Sequence, residues 1–196
     1  RLTGGPSKRL NSINVSGPSR LPLGQKVRYC EAVYQREGLP VIFRLPEPLT
    51  PPVLGKGLED LGYHAFDPTL VLGRTVEDEL ERTDGLDIRP MSALDWLAAR
   101  AWMMGVPLPV LGYHATILSL ILPEKALLCL FENGQPVACG MGVIQGDLLG
   151  YFSIYTHPSA RRRGYARAVM AALTHWGQER GALFGYLQVE GDNQAA

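Results

Sequence analysis

The chain has 196 residues, 46% of them apolar, with 19 basic residues against 19 acidic and a formal net charge of zero. That length allows one large domain or two small ones, and that apolar share is ample for a packed core. The even charge balance argues against a DNA- or RNA-binding protein, and no apolar run reaches the length of a membrane span. Cys30, Cys129 and Cys139 are odd in number and show no C-x-x-C or Cys/His ligand spacing, which points to a reduced, cytoplasmic, metal-free protein. The sequence begins with Arg1 and stops at Ala196, and it reads as trimmed at both ends.

The predicted elements follow in chain order. The first residues are polar and glycine-rich, and Leu10 to Val15 then alternates like a short strand. Ser16 to Gly24 is a loop of Gly, Pro and Ser. From Gln25 to Arg36, Val27, Cys30, Val33 and Tyr34 share one helical face, and Gly38 ends the helix. Pro40 to Leu45 reads as a buried strand, Pro52 to Leu61 as a helix stopped by Gly62, and another strand lies within Thr69 to Val76. Glu77 to Asp87 is charged and nearly without apolar residues, so it is taken as the linker between two parts, 1–84 and 85–196. Leu86 to Pro90 opens the second part as a strand, and Ser92 caps a helix carrying Leu94, Trp96, Leu97, Ala101 and Trp102. A second helix runs from Val110 to Ile121. Leu127 to Phe131, Pro136 to Val143 and Leu148 to Thr156 form an antiparallel meander in which Cys129 and Cys139 are buried thiols.

The stretch from Ile154 to Ala166 carries the chemistry. A β-branched and aromatic strand runs into a basic turn with one glycine, after which Ala166, Val169, Met170, Leu173 and Trp176 recur at helical spacing. Gly181 stops that helix, and Phe184 to Glu190 is a further strand. The first N–H groups of a helix lack internal partners and, with the dipole behind them, form an anion site. Gly164 lets backbone approach an oxygen, Ala166 is nearly as small, and Arg161, Arg162 and Arg163 add charge suited to phosphate. A diphosphate is what such a turn would hold. A P-loop is excluded because no Gly-Lys-Ser/Thr follows, and a dinucleotide fingerprint because only one of its glycines is present.

The order Arg161-x-x-Gly164-x-Ala166, after a strand and Pro158, resembles the acetyl-CoA signature R/Q-x-x-G-x-G/A of the GCN5-related N-acetyltransferases, the GNAT family. Asn193-Gln194-Ala195-Ala196 is similar to that family's Asn-x-x-Ala helix start. The resemblance implies a mixed α+β fold, a mostly antiparallel central sheet flanked by helices. It implies acetyl-CoA as co-substrate and direct transfer of the acetyl group to a primary amine in a ternary complex. Main-chain groups of Ile154, Tyr155 and Thr156 would then contact the pantetheine arm and polarise the thioester carbonyl. Arg161, Arg162, Arg163, Gly164, Tyr165 and Ala166 would take the diphosphate, with Asn193 near the pantetheine.

The amine must lose a proton, so a general base is wanted. The strand from Leu148 to Thr156 offers no carboxylate, which departs from members that carry a glutamate there. Glu190 is the first candidate base and His157 the second; Glu190 also reads as a solvated turn residue, and His157 as a structural one. The tyrosine that in the family protonates the leaving thiolate falls beyond Ala196. The rival to the enzyme is a non-catalytic acyl-CoA-binding or regulatory module, and another acyl donor is a third option. Trp102, Met103, Met104, Tyr113 and His114 read either as core or as an apolar wall of the acceptor site. The acceptor itself is a small-molecule or peptide amine, and a homodimer is compatible with the reading.

The N-terminal part carries its own likeness. Gly4-Gly5-x-x-Lys8-Arg9-x-Asn11-Ser12, Cys30-Glu31-x-x-Tyr34, Leu39-Pro40-Val41-Ile42-Phe43-Arg44 and Leu61-Gly62-Tyr63 resemble the first half of a bacterial two-part GNAT group, in which a degenerate copy precedes an active one. No Arg-x-x-Gly-x-Gly/Ala turn occurs there, so this half is not expected to bind coenzyme A. Lys8 and Arg9 read as an exposed basic strand end or as the lining of a shared cleft.

Overall fold

Period-two alternation in the chain's second part becomes sheet, and the three- and four-residue spacings become the helices that cover it. A computed structural model describes residues 7–15, 20–47, 49–76 and 85–191. The chain divides into two compact units, Arg1–Phe66 and Asp67–Ala196.

In the first unit β1 (Ile13–Asn14) pairs in parallel with β2 (Phe43–Arg44), and the helix α1 (Leu23–Arg36) connects them. Helix α2 (Pro52–Asp60) follows. Both strands are shorter than the sequence suggests. The Asn11 N–H turns back to the carbonyls of Ser7 and Lys8, so the segment before Ile13 is a 3-10 turn. Val27, Tyr34 and Leu58 are buried, Phe43 and Tyr63 meet edge to face at 5.2 Å, and the Tyr63 hydroxyl donates to Glu31 at 2.8 Å. Burial and that carboxylate push the Tyr63 hydroxyl up to about 12.

The second unit is built on a six-stranded sheet. Its strands are β3 (Thr69–Thr75), β4 (Asp87–Pro90), β5 (Lys125–Glu132), β6 (Gln135–Gln145), β7 (Leu148–Thr156) and β8 (Phe184–Glu190), in the spatial order β3-β8-β7-β6-β5-β4. Every neighbouring pair is antiparallel except β7 and β8, which run parallel. The boundary drawn at 84/85 from the charged run therefore differs from the contact boundary at Phe66. The reason is β3, which pairs with β8 along its whole length, from Thr69 opposite Glu190 to Thr75 opposite Phe184. Most of the expected linker, residues 77–84, lies outside the described residues.

Alternation on β5 explains why its sequence is nearly continuous apolar. Ala126, Leu128 and Leu130 face the core beneath α5 (Tyr165–Gln178), while Leu127 and Cys129 join the core beneath α3 (Ala93–Met104) and α4 (Gly112–Leu120). Both faces of the sheet are therefore covered at β5, whereas β3 is exposed along its length. The Ser92 hydroxyl accepts from the Asp95 N–H at 3.1 Å, the cap the sequence indicated, and Gly105 closes α3 in the left-handed region at φ 66°. On the other face Val169 and Leu173 of α5 are fully buried. The helix sits this close because β6 carries glycine: a Cβ at Gly140 would lie 2.5 Å from Ile154 Cδ1 and 2.9 Å from Val169. Among the described residues no single helix is long and apolar enough to cross a membrane.

Candidate functional site

The site begins where two strands part. Parallel pairing of β7 with β8 covers Leu148 opposite Phe184, Leu149 opposite Gly185 and Gly150 opposite Tyr186, and then stops. From Tyr151 to Thr156 the β7 edge has lost its β8 partner, while β8 continues against β3 up to Glu190. An open strand edge of this kind offers main-chain N–H and C=O groups to an extended ligand.

A bulge shapes that open edge. Cys139 pairs with Tyr155 and Met141 with Phe152, so Ser153 and Ile154 together oppose Gly140. Ser153 takes a left-handed φ of 54°, a costly conformation for a residue with a Cβ. The extra residue shifts the alternation: Ile154 packs beneath α5, and Tyr155 joins the core beneath α3. From α3 the guanidinium of Arg100 reaches across, and its Nη1 donates to the Ser153 carbonyl at 2.9 Å.

Beyond Thr156 the chain makes one 3-10 turn, Pro158–Ala160, and enters α5. Arg162 at φ 61° and Gly164 at φ 80° are both left-handed. Space around Gly164 is open, with nothing within 4 Å of where a Cβ would stand. The glycine is thus required by backbone conformation, and the sequence argument from close approach gave only half of the reason. No protein acceptor for the N–H groups of Arg162, Arg163 or Gly164 is found among the described residues. Arg161 and Arg162 are exposed. Arg163 is committed elsewhere: its guanidinium grips the Glu132 carboxylate with both terminal nitrogens, and the Tyr165 hydroxyl donates to the same carboxylate at 2.6 Å. Those contacts, the arginine first and the tyrosine second, hold the Glu132 carboxyl below its ordinary range. The end of β5 is thereby tied to the start of α5; Arg161 Nε donates to the Thr156 carbonyl at 3.5 Å, and Arg162 has no side-chain partner among the described residues.

An open β7 edge leads into a left-handed helix start that carries Arg161, Arg162 and Arg163. The model of the acetyltransferase (GNAT) family matches residues 92–196. The chain belongs to the GNAT family.

Solved structures agree on the fold of this GNAT protein. A GCN5-related N-acetyltransferase from Kribbella flavida is 17% identical, with 94% of this chain and 74% of that one covered at a TM-score of 0.67. A GCN5-related N-acetyltransferase from Sphaerobacter thermophilus is also 17% identical, covering 89% and 61% at 0.65. A functionally unknown conserved protein from Staphylococcus epidermidis ATCC 12228 is 14% identical, covering 96% and 78% at 0.60. At these identities the likeness concerns the fold alone. No curated protein matches the sequence.

The remaining sequence-derived candidates of this GNAT protein are placed as follows. Glu190 is exposed at the far end of β8, on the side of the wedge opposite β7. Alternation from Tyr186, whose ring meets Phe152 edge to face at 6.1 Å, sets Glu190 on the α3 face of the sheet. His157 follows β7 directly; its ring stacks on Trp102 at 5.5 Å, and its Nδ1 accepts the Ser159 N–H at 3.3 Å. Ile154, Tyr155 and Thr156 line the open edge, and Tyr165 and Ala166 form the first turn of α5. Asn193 lies outside the described residues. Of the expected acceptor wall, Met103 is core at 2% exposure, whereas Trp102 is half exposed at 51%.

Sequence reasoning missed Arg100, Glu132 and Ser153. Arg100 left a signal, since a cation on the helix face shared by Trp96, Leu97 and Met103 must reach an acceptor. The other two left none. Glu132 meets Arg163 only after folding, and a bulge has no composition of its own. Among the described residues no group of three or more His, Cys, Asp or Glu is arranged to hold a metal ion.

Proposed function

We propose that this chain transfers an acetyl group from acetyl-CoA to a primary amine by direct attack in a ternary complex. The observation that carries the reading is the wedge: β7 and β8 part after Gly150 and Tyr186, and the open edge leads straight to the Arg161–Ala166 turn. Acetyl-CoA supplies the activated acyl group as its thioester. The β7 edge from Tyr151 to Thr156 that has no β8 partner binds the pantetheine arm as an added strand. The N–H groups from Arg162 to Gly164, with the α5 dipole behind them and Arg161 and Arg162 alongside, bind the diphosphate. Asn193 contributes near the pantetheine.

Glu190 takes the proton from the amine, directly or through one water. Its competitor His157 is disfavoured by its own hydrogen bonds. Its Nδ1 accepts the Ser159 N–H at 3.3 Å and lies 2.7 Å from the Ser159 hydroxyl, so that nitrogen is engaged within the turn rather than turned to a substrate amine. The acceptor approaches along the α3 face past Trp102 and is an amine with an apolar or aromatic portion. We also read the first unit as a degenerate copy, because β1-α1-β2 repeats the parallel strand–helix–strand plan of β7-α5-β8. The three free thiols suit a cytoplasmic setting.

Calorimetric titration of the chain with acetyl-CoA and CoA, followed by thiol release against an amine panel, tests the reading. Micromolar binding with release on some amine supports it. Binding without release from any amine points to the non-catalytic module, and no binding removes the assignment of the wedge.

A further inference from the structure

Arg100 is spent in an unusual way. It comes from the apolar face of α3 and is partly buried, yet among the described residues no carboxylate lies within ion-pair distance of it. Its ring neighbours are Trp96, at 5.6 Å from the guanidinium carbon, and Tyr155, at 5.4 Å. Nη1 also lies 3.7 Å from Cys139 Sγ, a thiol that burial keeps protonated. Its Nε is buried with no acceptor among the described residues. No counter-ion among the described residues fixes the direction of this guanidinium. The short hydrogen bond that it donates goes to a single peptide carbonyl, that of Ser153, at 2.9 Å.

That peptide is the one at the bulge. In a trans peptide the C=O and the following N–H point in opposite directions, so fixing the Ser153 carbonyl toward α3 fixes the Ile154 N–H away from Arg100. A positive charge on the carbonyl oxygen also draws electron density through the amide and makes the same unit's N–H a stronger donor. Ser153 sits at φ 54°, a conformation that relaxes unless something holds it.

We propose that Arg100 is a positioning residue for acyl transfer: through the Ser153–Ile154 peptide it aims and strengthens the N–H that faces the thioester carbonyl oxygen. This rests on the proposed acetyl-CoA reading of the wedge. As the amine adds to the carbonyl carbon, negative charge gathers on that oxygen, and a donor polarised by a fixed cation stabilises it more than the uncharged ground state. Arg100 touches neither substrate, and its effect travels only along one peptide unit.

The test uses the whole chain with Arg100→Met and Arg100→Lys, each first checked for a wild-type melting profile. The main readout is the carbonyl stretch of carbonyl-labelled acetyl-CoA bound to protein, a spectroscopic measure of polarisation that a purely structural role would not move. In wild type the bound band lies below that of free acetyl-CoA. Arg100→Met is expected to lose most of that displacement, to shift the Ile154 amide resonance, and to drop kcat about 10- to 100-fold. KM for acetyl-CoA and the affinity for CoA should stay within about threefold. Arg100→Lys keeps the charge and should recover part of the displacement, and it serves as the test variant if the methionine form does not fold. A full displacement and unchanged kcat in either folded variant would overturn the proposal. Wild type failing to bind acetyl-CoA is a different failure, overturning the acetyl-CoA reading and this inference together.

Discussion

Two parallel strand–helix–strand units stand among the described residues of this chain, and they differ at the place where the candidate site lies. In the first, β1 and β2 pair over two residues, and α1 starts from Pro22, which has no N–H and an extended ψ of 145°. In the second, β7 and β8 pair over three residues and then diverge, and α5 starts from a left-handed Gly164 after a left-handed Arg162. The connectivity is the same. What differs is local backbone: a bulge at Ser153 on a strand edge that β8 has left, and a turn whose N–H groups find no protein acceptor among the described residues. The same layout can thus be built with or without an open edge and a left-handed turn, and a few positive-φ residues make that difference.

The comparison breaks most sharply at Gly164. Gly164→Val forces a β-branched residue to φ 80° and should lower CoA affinity about 100-fold by calorimetry. Gly24→Ala, near the start of α1, meets only the end of the Arg28 side chain at 3.5 Å and should leave that affinity unchanged. Equal losses in the two variants would remove the distinction between the units. Glu190 sharpens it from the catalytic side, because the equivalent strand of the first unit ends on Arg44. Glu190→Gln should cut the acetylation rate about 100-fold while CoA still binds. An unchanged pH–rate profile would take Glu190 out of the mechanism.

Gly140→Ala would press a methyl group onto Ile154 and Val169, and it should lower unfolding free energy by about 1–3 kcal/mol in chemical denaturation. Gly55→Ala in α2 meets nothing within 4 Å and should raise it by about 0.5–1 kcal/mol. A neutral Gly140→Ala would mean that α5 does not need its close seat on β6. The smallest effect concerns His114, whose imidazole is held below its ordinary 6.5 by burial first and by the Arg100 charge second. A histidine whose folded value is depressed contributes stability that is complete above pH 6.5 and is lost as pH falls through the folded value. His114→Gln should flatten that acidic decline, and an identical pH–stability curve would show that the imidazole does not drive it.

Much of the second unit was legible because its signals are local. Val169 and Leu173 announced the buried face of α5 by spacing, Ser92 announced the start of α3 by its cap, and Gly164 announced the turn. The first unit was less legible because its strands are too short to alternate: Ile13–Asn14 and Phe43–Arg44 hold their pairing through tertiary contact. The place of β3 was not legible at all, since a strand's partner is set by register with residues more than a hundred positions away, here Thr69 opposite Glu190. For the site, sequence named the turn and the β7 end but missed the supports. Arg163 was read as a phosphate ligand, yet its guanidinium is engaged by Glu132, a pairing visible only once β5 and α5 are adjacent. The same holds for Arg100 and Ser153, 53 residues apart in sequence and joined by one hydrogen bond.

The measurement that goes most directly to the central claim is an amide-resolved NMR titration of the chain with CoA. The account predicts saturable shifts concentrated in two stretches, Tyr151 to Thr156 and Arg161 to Ala166, with residues 7–66 unmoved. Saturable shifts that fall in the first unit, or that leave both stretches unmoved, would contradict it.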